Sequence, residues 1–142
     1  MPGSSVTASD ALAERWEWRL PAVGLLLAAT AIHAYEATDA DVPFLLVGFI
    51  ASAVGTGTAA LLLVARAPRL GWALGGLTAL LTFVGYVVTR ATPIPTDEDD
   101  YGNWLELLGV VSLVVEAIIV VMAVWALAGA TPGRLRRSDR AG

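Results

Sequence analysis

The chain has 142 residues, of which 56% are hydrophobic and only 15% charged, and its mean hydropathy is +0.68. Soluble domains carry about 25% charged residues, so this balance and the long apolar runs place the chain in the membrane class, with no segment outside the runs long enough to bury its own core. Cysteine is absent, which excludes disulfides, thiolate metal sites and thiol nucleophiles within the chain, and the net charge of −4 hides an uneven distribution.

Residues 1–17 are polar and small and read as a disordered tail entering a short interfacial helix. Trp16 and Trp18, flanked by Arg15 and Arg19, sit where an aromatic belt forms at a membrane surface. The first span is expected at about 19–37, with Pro21 in its first turn, where a missing N–H is tolerated. Its apolar stretch is short enough to resemble a signal peptide. The preceding segment, however, balances Glu14 and Glu17 against Arg15 and Arg19 and lacks the net positive charge of one, so a retained span is expected.

Asp39 to Pro43 form a short connection, in which Asp41 is placed to cap the second helix and Pro43 to occupy its first turn. The second span, about 43–65, carries Ala51, Gly55 and Ala59 at four-residue spacing, the pattern that lets helices approach closely in lipid. A tight basic turn, Arg66 to Arg69, leads to the third span, about 70–90, which opens with Gly71 and Gly75 at the same spacing. Pro93 and Pro95 end that helix, and the loop 91–103 carries the acidic run Asp97-Glu98-Asp99-Asp100. Asn103 followed by Glu106 resembles a capping box opening the fourth span, about 103–128, with Trp104 at the interface. Residues 129–142 read as a basic, disordered tail. Residues 18–128 thus form one four-helix transmembrane domain.

The termini and the 66–69 turn hold eight arginines, Arg15, Arg19, Arg66, Arg69, Arg134, Arg136, Arg137 and Arg140, against four acids. The other two loops and their helix ends hold Arg90 against eight acids. Arginine near membrane ends favours the cytoplasmic side. The expectation is an all-α, up-down-up-down bundle in a bacterial plasma membrane, with both termini cytoplasmic and the acidic loops outside. No nucleic-acid partner is expected, because the basic cluster is a short tail at the membrane. The expected partners are the lipid bilayer and either further copies of the chain or a larger membrane complex.

The candidate site residues are His33, Glu36, Tyr86, Arg90, Glu106 and Glu116. His33 is the only histidine, and Glu36 follows it by one helical turn on the same face. The pair reads either as a metal-ligand or proton-accepting pair, or as a histidine bonded to its neighbours near the interface. Glu116 interrupts the most apolar run at a depth near the bilayer midplane, where a charge costs at least ~2.5 kcal/mol and needs a partner or a proton. Thr30, Ser52, Thr56, Thr78, Thr82 and Ser112 are hydroxyls at similar depth that could serve it. His33, Glu36 and Glu116 together are the candidate ligands for a divalent metal ion, although zinc sites normally use three or four protein ligands. Thr82, Tyr86 and Arg90 form one stripe on the third helix, and Arg90 is expected to pair with Glu36 or Glu106. The four loop acids lack the spacing of a calcium-binding loop and read as a solvated surface that concentrates cations at an outer mouth. No serine nucleophile motif, HExxH or phosphate loop is present, which leans away from an enzyme.

The layout also resembles a known kind of protein. His33 lies in the outer end of the first span. Gly85-Tyr86, Thr89-Arg90 and Pro95 close the third, and Gly102-Asn103-Trp104 and Leu113-Val114-Val115-Glu116 mark the fourth. Over about residues 18–128 this is similar to small four-span actinobacterial integral membrane proteins. The resemblance implies the four-helix fold and the pairing of an outer histidine with a fourth-span glutamate, and it implies no particular activity. The functional expectation is a polar His/Glu site in the outer half of the bundle, binding a cation, a proton or a small ligand, alone or as an accessory subunit. The alternatives are a purely structural or assembly subunit, or a small oligomeric channel or transporter.

Overall fold

The computed structural model describes residues 16–94, 98 and 100–128. Residues 1–15 and 129–142 of the two tails, and Asp97 and Asp99 of the acidic run, lie outside the described residues, whereas Trp16 and Glu17 of the expected tail already belong to a helix. The fold is all-helical: α1 (Trp16–Asp39), α2 (Pro43–Val64), α3 (Pro68–Ala91) and α4 (Leu107–Ala128). At ~1.5 Å per residue each helix covers a ~30 Å hydrocarbon core. All four are long and apolar enough to span a membrane, and no strand occurs among the described residues. Each helix packs on its sequence neighbour, and α4 closes the ring against α1.

The chain is apolar on the outside. Val47, Leu61, Leu70, Leu81 and Val121 are all more than 60% exposed, whereas the interior is built from small residues, a few large apolar ones and several polar ones. In lipid this is the stable arrangement, because association gains from close packing and interhelical hydrogen bonds rather than from hiding leucine. The GxxxG pair of α3 is used in this way. A Cβ on Gly71 would come within 2.9 Å of the Leu63 backbone nitrogen, and one on Gly75 within 3.3 Å of the Ala59 Cβ. Of the α2 small residues, Ala59 is buried and Gly55 packs on Thr78, but Ala51 faces outward.

Three local expectations are corrected. The residue before α2 is Val42, with no side-chain cap, so Asp41 does not cap it, while Pro43 does occupy the first turn. α1 already includes Trp16, which moves Pro21 inside the helix, where it removes one backbone bond. α4 begins at Leu107, after the expected capping box. The Glu106 carboxylate is instead drawn to Arg90, whose fixed charge offers more than a helix N-terminus does, while Asn103 meets the guanidinium through its backbone carbonyl.

Candidate functional site

The six candidate residues separate into two clusters. The first is built on Arg90, in the last turn of α3 and only 6% exposed. Its guanidinium donates to the Asn103 carbonyl at 3.2 Å, to the Thr89 hydroxyl at 3.0 Å, to Glu106 Oε2 at 2.7 Å and to the Asp100 carboxylate. Tyr86, one turn earlier on the same face, places its ring 4.4 Å from the guanidinium carbon and donates its hydroxyl to the Trp104 carbonyl at 3.3 Å. Gly102 adopts φ 78°, a left-handed conformation that suits glycine, and its N–H reaches the Arg90 carbonyl at 3.0 Å. The α4 helix approaches so closely that a Cβ on Gly109 would lie 3.0 Å from the Tyr86 hydroxyl oxygen. This arginine is therefore held by groups from its own helix, the loop and the start of α4. Of the two partners expected for it, Glu106 is engaged, while the carboxylate of Glu36 is directed to His33.

The second cluster is built on His33, in α1 and 2% exposed. Its Nε2 lies 3.1 Å from Glu116 Oε1, and its Nδ1 lies 3.5 Å from Glu36 Oε2. Both contacts lie within ion-pair range, yet neither ring nitrogen makes a well-directed hydrogen bond. From α2 the Phe49 ring stacks on the imidazole, with centroids 6.2 Å apart. Glu116 is 2% exposed and accepts a hydrogen bond from Ser112, one turn away on α4, at 3.0 Å. Starting from Leu107, Glu116 lies ~14 Å along α4, somewhat shallower than a start at residue 103 would place it.

Of the hydroxyls considered as partners for Glu116, Ser112 bonds it. Four of the others are committed elsewhere: Thr30 and Thr56 touch each other at 2.8 Å, Ser52 donates to the Gly48 carbonyl, and Thr82 donates to the Thr78 carbonyl. This geometry gives the metal expectation no support. The two carboxylates meet the imidazole at opposite nitrogens, so the ring lies between them and the three ligands do not converge. Among the described residues no group of three His or carboxylate side chains could hold a metal ion.

Sequence reasoning missed four residues that matter. Phe49 carried no signal that distinguishes it from a lipid-facing aromatic. Asp100 could not be told from the other loop acids, and Thr89 was quoted only as part of the α3 pattern. Arg19, read as a surface flank, is 6% exposed and donates to the carbonyls of Leu63 and, at 3.4 Å, Ala65, where it caps the end of α2.

No family model, curated protein or solved structure matches the chain.

Proposed function

We propose that this chain is a multi-pass plasma-membrane protein that binds a proton at His33 and Glu116, reached from the outside through Glu36. Both termini face the cytoplasm, the helices run up-down-up-down, and the acidic loops face outward. Two observations support this topology besides the arginine distribution. Arg19 at the start of α1 meets the end of α2, and Trp18 meets Trp125 at the end of α4, with ring centroids 5.1 Å apart. The chain acts alone or as an accessory subunit of a larger membrane complex.

One observation carries the ligand assignment. The side chains of Glu36, His33 and Glu116 are 16%, 3% and 2% exposed, in line from the edge of the bundle to its interior. A proton needs only one nitrogen or oxygen at a time, so a linear array suits it where a metal would need convergent ligands. The imidazole has two nitrogens that can each carry a proton, which lets it relay between the carboxylates on its two sides. The transfer balances as follows. A proton on Glu36 passes to Nδ1 and forms an N–H bond. The Nε2–H bond breaks, its proton moves to Glu116 Oε1, and Glu116 becomes a neutral carboxyl. His33 ends as its other tautomer and Glu36 as a carboxylate.

Infrared difference spectra across a pH titration test this reading. The expected result is a carboxyl C=O band that disappears in Glu116→Gln and whose pH dependence changes in His33→Ala. A titration identical in wild type and Glu116→Gln would overturn it. A second reading, a structural or assembly subunit, is favoured by the Arg90 cluster, in which every charged group is bonded within the fold.

A further inference from the structure

Resting on that reading, we infer that the proton site is a blind well: it opens at the end of the bundle carrying the α1–α2 connection and is closed below Glu116 by a dry apolar layer. The buried polar residues of the described bundle are Arg19, His33, Ser52, Thr56, Thr89, Arg90, Ser112 and Glu116, and of these Arg19 alone lies at the end carrying the α2–α3 turn. From His33 toward the start of α1, the buried positions are Ala29, Leu26 and Ala22. From Glu116 toward the end of α4 they are Ile119, Ala123 and Ala126. From Thr56 toward the end of α2 they are Ala59, Ala60 and Leu63. Leu26, Ala59, Leu63 and Ile119 are each 0–1% exposed and belong to one apolar cluster.

The hydroxyls at the floor do not carry a proton onward. A relay group must both accept and donate. Thr30 and Thr56 meet each other at 2.8 Å, with either able to donate, and their other acceptors are the backbone carbonyls of Leu26 and Ser52, each at 2.8 Å, so the pair ends on backbone carbonyls. A backbone carbonyl accepts and has no proton to pass on. Beyond the layer lies the guanidinium of Arg19, bonded to the carbonyls at the end of α2. A proton crossing the layer would meet the desolvation cost of an apolar interior. The titratable neighbours of His33 are Glu36 on its own helix and Glu116 on α4. From α2 it meets the Phe49 ring. The titratable groups in the second half of α3, Tyr86 and Arg90, engage the loop and the start of α4 instead.

The test uses the full chain in liposomes. Because the sequence has no cysteine, Asp41→Cys and Arg66→Cys, labelled with an impermeant maleimide, report which loop faces outward. The pH is then stepped on one side while the Glu116 carboxyl band is followed. The expected result is a response to a step on the Asp41 side, none to a step on the Arg66 side, and no proton flux above protein-free liposomes. Leu26→Asp should open the floor and produce a flux that is lost again in Leu26→Asp/His33→Ala. A response from both sides in wild type, or wild-type proton flux, overturns the blind well and leaves the proton site standing. A carboxyl band unchanged by Glu116→Gln removes the site itself. If Leu26→Asp does not fold, the sided response of the wild type decides alone.

Discussion

Two buried ionisable groups, Arg90 and His33, are handled in opposite ways. Arg90 is bonded through three nitrogens to two carboxylates, a hydroxyl and a carbonyl, with an aromatic ring beneath it. Its carboxylate partners are partly open, with the side chain of Asp100 24% exposed and that of Glu106 42% exposed. His33 has two carboxylates at its nitrogens but no well-directed hydrogen bond, and its inner partner Glu116 is closed to solvent. A charge whose donors are all engaged locks geometry. A titratable ring with unspent donor capacity between two acids is suited to changing state. The difference is chemical as much as positional, because guanidinium does not deprotonate in proteins and imidazole does.

The comparison can be broken most severely at His33. His33→Ala leaves Glu116 buried with Ser112 alone and should cost ~3–5 kcal/mol if the carboxylate stays charged. Thermal unfolding in mild detergent measures this, and His33→Phe/Glu116→Leu should recover most of the loss. Failure of the double variant to recover would mean that shape, and not the buried charge, sets the cost. Arg90→Ala strands two carboxylates that water can still reach, so the expected loss is smaller, ~2–3 kcal/mol. It should also loosen the 98–106 loop, read as faster amide exchange there, while leaving the Glu116 carboxyl band unchanged. Gly109→Ala forces the Tyr86 ring away from α4, with an expected cost of ~1–3 kcal/mol and disturbance of the Arg90 cluster alone. Ser112→Ala removes a single hydrogen bond to Glu116 and should cost ~1 kcal/mol, with a shift of the carboxyl band as its sharper signature.

Much of this was legible in the chain itself. Four long apolar runs and short polar connections announce four membrane-length helices, because the cost of burying charge in hydrocarbon confines such runs to spans. The polar positions inside those runs are also visible, since an ionisable residue such as Glu116 stands out against its apolar neighbours. Helix starts were less legible. Asn103 and Glu106 have the spacing of a capping box, but nothing local reveals that a buried arginine will take the Glu106 carboxylate.

The sequence alone determined the membrane class, the number of helices and the short list of residues able to carry charge or protons. These follow from transfer free energies and helical periodicity, which act residue by residue. The tertiary structure decided the sorting. It divided six candidates into an arginine lock and a histidine site, placed the imidazole between Glu36 and Glu116, and set Arg19 against the end of α2. It also gathered the apolar layer of Leu26, Leu63 and Ile119 beneath the site. Those pairings join residues far apart in the chain, and they depend on which helix faces which, a matter settled by packing of small residues across interfaces and not by any single segment.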